Sequence, residues 1–247
     1  MTGPRLRFAA FGFALAIAMP GAVRAEHAEC EVPPDLMQAE FKLPRLAERL
    51  LAKQPVKIVA IGGASTTGAA AGSPELAFPQ RLQVALSRSF PDAPVTVVNK
   101  GVPRQSANQM VERFPTDVVP EDPVLVIWET GITDAVRGTE IDDFAAALQS
   151  GIDELKNRAI DTILVDMQFS RRSMTLIDFE KYLKTLHHVG EMNEVYVFPR
   201  FEMMRYWSEQ NMFNFDQVSD DERARLAARV YDCIGRRLAQ AIRVAVQ

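Results

Sequence analysis

Hydrophobic positions along the chain fall into two alternating kinds of run. Short, almost wholly apolar stretches occupy 56–61, 95–98, 124–128, 162–165 and 195–198. Strands covered on both faces have this character, because no side of them meets water. Between them lie longer segments whose apolar residues recur at helical spacing: 43–51, 79–90, 105–114, 141–159, 177–192 and 220–245. Within 79–90 the stripe is Leu82, Val84, Leu86 and Phe90; within 141–159 it is Phe144, Leu148, Ile152 and Leu155. Strand alternating with helix predicts a parallel sheet with helices on both faces. No internal repeat or low-complexity linker interrupts the order, so residues 26–247 are expected to form a single domain.

Residues 57–72 stand out within this pattern. The apolar run breaks at Gly62 and Gly63, presents Ser65, and continues through Gly and Ala towards the segment 79–90. A strand, a tight small-residue turn and a helix place a side chain at the carboxyl edge of a sheet, where ligands of open α/β sheets bind. A dinucleotide fingerprint would need Gly-x-Gly-x-x-Gly, and no frame from Gly62 or Gly63 supplies it. A phosphate-binding loop would need Gly-Lys-Ser/Thr, and no lysine lies between Lys57 and Lys100. A serine nucleophile facing backbone amides remains, beside the plainer reading that Ser65 caps the segment after it.

The first 25 residues read as an export signal. Arg5 and Arg7 precede an apolar run over 8–19, and Val23-Arg24-Ala25 offers a small-x-small cleavage site. That run is too short to span a bilayer, and no later stretch approaches the needed length. The mature chain is expected outside the cytoplasm, in the periplasm of a Gram-negative source. Cys30 and Cys233, the two cysteines of the chain, are then expected to pair as a disulfide. A net charge of −4 gives no basic footprint for nucleic acid, and the arginines of 223–237 alternate with acidic and small residues as on a solvated helix face. No His-x-x-x-His or close His/Cys cluster suggests a metal, and nothing implies a cofactor. Oligomeric state leaves no mark in the sequence.

With the element order established, three blocks resemble the SGNH (GDSL-type) hydrolase superfamily, most closely its exported proteobacterial branch. The first is Ala60-Ile61-Gly62-Gly63-Ala64-Ser65-Thr66-Thr67-Gly68. The second is Val97-Val98-Asn99-Lys100-Gly101-Val102-Pro103-Arg104-Gln105, and the third Val126-Ile127-Trp128-Glu129-Thr130-Gly131-Ile132-Thr133-Asp134. The resemblance covers nearly all of the mature chain. It implies a flavodoxin-like three-layer α/β/α sandwich with a five-stranded parallel sheet, and ester (acyl) chemistry on a small acyl or sugar ester at the carboxyl edge.

The family's mechanism uses a serine, an oxyanion hole, a histidine and an aspartate. The resemblance puts the nucleophile at Ser65 and the oxyanion region at Gly101, Arg104 and Thr133. Arg104 stands where the family has its oxyanion glycine, and Thr133 where it has an asparagine. The loop before the closing helix, 214–223, contains no histidine; Arg225 falls nearest that slot, and arginine cannot act as a base. The chain's histidines are His27, His187 and His188, and counting along 177–192 puts the latter two near the far end of the sheet. Asp216, Asp220 and Asp221 are candidate acids near the expected site, Asp216 and Asp221 as weak candidates for acid or base, with helix capping as their alternative role. The sequence therefore supports an esterase centred on Ser65 with a rewired base. The alternatives are a catalytically inactive binding or scaffold protein on the same fold, or a purely structural one.

Overall fold

A computed structural model describes residues 30–38, 41–174, 177–215 and 218–247, of which 172 and 173 are described by backbone alone. Val32–Gln247 packs as one compact unit, and the preceding unit, Met1–Glu31, is described at its last two residues. The export signal and its cleavage site lie outside the described residues. Among the described residues no helix is long and apolar enough to cross a membrane. Cys30 and Cys233 are both disulfide-bonded, which makes the bridge the expected one.

The five apolar runs form one all-parallel sheet. Its strands are β1 (Val56–Gly62), β2 (Val95–Gly101), β3 (Leu125–Glu129), β4 (Asp161–Val165) and β5 (Tyr196–Phe198), in the order β2-β1-β3-β4-β5. The three-layer α/β/α architecture expected from the sequence is the one observed. β2 continues three residues past the apolar run, pairing with β1 from Val56↔Val95 to Gly62↔Gly101. As an edge strand it tolerates polar Asn99 and Lys100, whose side chains need no second sheet neighbour.

The helices are α1 (Pro44–Leu51), α2 (Ala64–Thr67), α3 (Phe78–Ser89), α4 (Ala107–Val111), α5 (Ile132–Arg137), α6 (Ile141–Asn157), α7 (Arg171–Met174), α8 (Glu180–Met192), α9 (Arg200–Glu209) and α10 (Asp220–Ala245). Val59, Ile61, Val126, Trp128 and Leu164 face α4, α6 and α8 in one apolar cluster. Trp128 anchors it, with its ring edge-on to Phe114 at 5.3 Å and its indole N–H donating to Met110 Sδ at 3.3 Å. Each such fully buried large side chain stabilises by about 1.5–3 kcal/mol. The alternate strand residues (Ile58, Ala60, Leu125, Ile127, Ile163) are also buried and turn to the opposite face. On that side α3 and α10 cross closely: a Cβ on Gly235 would lie 2.7 Å from the Leu82 amide nitrogen.

Two predicted helices are shorter by three residues or more in the structure. The segment 105–114 yields only α4, opened by a Ser106–Gln109 capping box and followed by a π-turn over Phe114–Val118 that holds Pro115, which lacks an N–H. α8 begins at Glu180, three residues later than the apolar stripe suggests. The short helices α2, α5 and α7, and the ten-residue α9, have no counterpart in the sequence reading.

Candidate active site

β1 delivers the chain to the carboxyl edge, where Gly62 and Gly63 turn it into α2; Ser65 is the second residue of that helix. β3 runs alongside, with Ile61 opposite Trp128, so its last residue, Glu129, emerges beside Gly62. Period two puts Glu129 on the face of Leu125 and Ile127, away from Trp128. The two meet only because residue 62 has no side chain. A Cβ there would sit 2.2 Å from Thr66 Oγ1 and 2.8 Å from Glu129 Cβ.

Glu129 gathers the turn. Ser65 Oγ donates to its Oε1 at 2.6 Å, and the Thr66 amide donates to Oε2 at 3.1 Å. Thr66 Oγ1 makes a further hydrogen bond to Oε2. From β5, Pro199 leads into α9, and its first residue, Arg200, reaches across the sheet edge. Arg200 Nη2 donates to Glu129 Oε1 at 3.1 Å, and Nη1 donates to Ser65 Oγ at 2.8 Å. Ser65 is 6% exposed, and Glu129 and Arg200 are 2% each. The hydroxyl is thus held between a carboxylate and a guanidinium in a nearly dry setting.

Burial would push the Glu129 carboxyl upward, but the Arg200 charge and the hydrogen bonds of Ser65, Thr66 and Arg200 outweigh it and hold the group below its usual range. Glu129 is therefore ionised, a proton acceptor of modest strength. The Tyr231 phenol of α10 senses the same pair: burial chiefly, then the Glu129 charge, with Arg200 partly offsetting them, raise it to about 12. Among the described residues Arg200 Nε is buried without a hydrogen-bond partner.

The residues singled out from the sequence take varied places. Gly101 ends β2, and its amide donates to Asn99 Oδ1 at 2.9 Å, while Asn99 Nδ2 donates to the Thr66 carbonyl at 2.6 Å. Arg104 is exposed, with a left-handed backbone (φ 64°) of the kind that favours glycine. Its carbonyl accepts from Arg137 Nη2 at 2.8 Å. Thr133 lies half-buried in the first turn of α5. Next to it Asp134 accepts from the Ala107 amide at 2.9 Å, and burial raises its carboxyl. Asp221 is exposed in the first turn of α10, behind the Ser219–Glu222 capping box, and Asp216 lies outside the described residues. Among the described residues the carboxylate that meets Ser65 is Glu129.

His187 lies nearer the carboxyl edge than the residue count suggested. Because α8 starts late, His187 is only its eighth residue, and helical side chains lean towards the N-terminus. Its Nε2 lies 3.1 Å from Oδ2 of Asp166, the residue that follows β4. Asp166 is buried, which pushes its carboxyl up, and its Oδ1 accepts from the Phe201 amide at 2.7 Å, fixing the start of α9. Asp166 continues the Leu164 face of the sheet, whereas Glu129 is on the other. The histidine is bound into the scaffold of α9 and is not a partner of Ser65. Among the described residues no three His, Cys, Asp or Glu side chains converge as metal ligands would.

Glu129 and Arg200 are partners of the Ser65 hydroxyl that the sequence left without a role. A charged residue ending a fully apolar strand is a signal for the first. The second joins Ser65 across 135 positions, a separation no local pattern records.

Comparison with known proteins places this geometry in context. A family model described as the Non-GDSL lipase-like family matches residues 29–247. No curated protein matches the chain significantly. Among solved structures, a two-domain esterase active on acetylated mannans, co-crystallised with mannopentaose, superposes with a TM-score of 0.62 at 18% identity. That match covers 83% of this chain and 55% of the esterase, so the chain spans about half its length. A variant of an acetyl xylan esterase from Geobacillus stearothermophilus gives a TM-score of 0.55 at 19% identity, over 72% of this chain and 94% of that one. The acetyl xylan esterase AlAXEase gives 0.54 at 16%, over 70% and 97%. At these identities the likeness is one of fold.

Proposed function

The chain belongs to the Non-GDSL lipase-like family, and we propose that it cleaves ester bonds with Ser65 as nucleophile and Glu129 as the group that takes the serine proton. The observation that carries this reading is the 2.6 Å hydrogen bond from Ser65 Oγ to Glu129 at the carboxyl edge of the sheet. A proton acceptor must be ionised and within hydrogen-bond reach of the proton it removes, and Glu129 meets both conditions. Its lowered affinity for protons makes it a weaker base than a histidine, so turnover is expected to be slow. The reaction follows the usual order: Ser65 attacks the acyl carbon, the proton moves to Glu129 and then to the leaving alcohol, and water repeats the sequence on the acyl-enzyme. The solved relatives act on acetylated mannans and xylans, which supports a short acyl group on a sugar as the substrate class. The Cys30–Cys233 bridge supports an oxidising compartment, and with the sequence of residues 1–25 a periplasmic location.

A second reading, an inactive binding or scaffold protein, is favoured by one observation. The Ser65 hydroxyl is engaged on both sides by a buried ion pair, which is also how a retired nucleophile would be stored. Hydrolysis of p-nitrophenyl acetate by the purified protein separates the two. The hydrolase reading predicts turnover that falls to the buffer rate in Ser65→Ala and by about 10²-fold or more in Glu129→Gln. Turnover at the buffer rate in the wild type, or unchanged in Ser65→Ala, would instead support the binding protein.

A further inference from the structure

We infer that Arg200 is the oxyanion donor of this site, taking up the negative charge that forms when Ser65 adds to an acyl carbon. The inference rests on Ser65 acting as nucleophile. Addition to a carbonyl leaves the negative charge on an oxygen one carbon away from Oγ, and a fixed donor aimed there is usually the largest single contribution to catalysis. Arg200 Nη1 already lies 2.8 Å from Oγ, so it reaches that oxygen with a small shift.

Three features of the surroundings point the same way. A guanidinium carries five N–H donors, and the hydrogen bonds to Ser65 and Glu129 use two of them. Among the described residues Nε is buried with no partner, a costly arrangement that an arriving oxygen, or the repositioning it causes, would relieve. Third, two of the three positions the family resemblance assigns to the oxyanion are differently occupied. The Gly101 amide is engaged by Asn99, and Arg104 sits at the surface.

The charge balance also closes. Before addition the cluster holds the Glu129 carboxylate, the Arg200 cation and a neutral hydroxyl. The Ser65 oxygen forms the new bond to carbon, the carbonyl π pair moves onto the carbonyl oxygen, and the Ser65 proton goes to Glu129. After addition the cluster holds a neutral acid, the same cation and an oxyanion. Arg200 exchanges one anionic partner for another, and the buried net charge does not change at any point. In a site this dry, that constancy avoids the large cost of an unpaired charge. Collapse of the adduct returns the electron pair to the carbonyl, breaks the bond to the alcohol and moves the proton from Glu129 to the leaving oxygen.

The test is the rate at which a fluorophosphonate labels Ser65 in the full-length oxidised protein, read by intact mass for wild type, Arg200→Lys and Arg200→Ala. Arg200→Lys keeps a cation beside Glu129, so it retains the ion pair and folds, but it loses the fork that serves two oxygens. The inference expects labelling by Arg200→Lys to be slower by about 10²–10³-fold. It also expects p-nitrophenyl acetate kinetics to show the loss in kcat with KM little changed, and guanidinium ion at low, non-denaturing concentration to restore part of the Arg200→Ala rate. Arg200→Lys that labels within a few-fold of wild type would overturn the inference and leave Ser65 as nucleophile standing. Wild-type protein that does not label at Ser65 would overturn both.

Discussion

Ser65 and Arg200, from the helices that follow β1 and β5, and Glu129, from the end of β3, share one buried point at the sheet edge. Removing one member of a buried ion pair typically costs 3–5 kcal/mol, because its partner is left charged and dry. The cost in this cluster should depend on acidity. The Glu129 carboxyl is held below its ordinary value of 4.5. Its contribution to stability is therefore fully present above 4.5 and is lost as pH falls through the lower, folded-state value. Glu129→Gln removes that contribution at every pH. Thermal melts of the two proteins should differ most near neutrality and converge in acid below 4.5; a gap that stays constant with pH would contradict this electrostatic account. At this scale the sequence was partly legible. Ser65 announced itself because Gly62 and Gly63 break an apolar strand, a local event. Arg200 did not, since its hydrogen bond to Ser65 exists only once β5 has been laid down in its place in the sheet. Asp216 and Asp221 drew attention by lying where the family keeps its acid, yet proximity in sequence to α10 carries no information about which carboxylate reaches the serine.

Among the elements, long periodic segments declared themselves and short ones did not. α6 and α10 carry enough turns for an apolar stripe to repeat, and α10 ends where the sequence placed its ends. α2, with four residues, has no period to read. α9 is ten residues long, but its buried Phe201, Met203 and Trp207 are spread among polar residues that blur the stripe. The consequence for the proposed function is direct, because α2 carries Ser65 and α9 carries Arg200. The junction of β1 with α2 also admits a sharp test. A Cβ at position 62 would lie 2.2 Å from Thr66 Oγ1, so Gly62→Ala must displace Thr66, Glu129 or both. Overpacking of this kind costs on the order of 1–3 kcal/mol. At about 2–4 °C per kcal/mol for a chain of this size, the melting temperature should fall by several degrees. Ester hydrolysis should be lost with it, since the Ser65–Glu129 contact is the first to be pushed apart. An unchanged melting temperature and activity would mean that the turn is looser than the geometry indicates.

For the molecule as a whole, the sheet order β2-β1-β3-β4-β5 puts β1, β3 and β4 at the centre, and the polar cluster sits over β1 and β3. The fold was legible because five apolar runs alternating with helical stripes leave few arrangements other than a parallel sheet covered on both faces. The Cys30–Cys233 bridge was legible because the chain has no third cysteine. Closing so long a loop contributes up to about 5 kcal/mol on the chain-entropy model. Function was less legible, because the histidine expected of the resembling hydrolases is missing and the groups beside Ser65 arrive from strands that the sequence cannot pair. The central claim is that Ser65 is a nucleophile made reactive by Glu129. It is tested most directly by exposing the oxidised wild type, Ser65→Ala and Glu129→Gln to a fluorophosphonate and locating the adduct by mass spectrometry. The account predicts one adduct, on Ser65, in the wild type, none in Ser65→Ala, and labelling slowed by about 10²-fold or more in Glu129→Gln. A folded wild-type protein that takes up no adduct, or takes it up equally after Ser65→Ala, would contradict it.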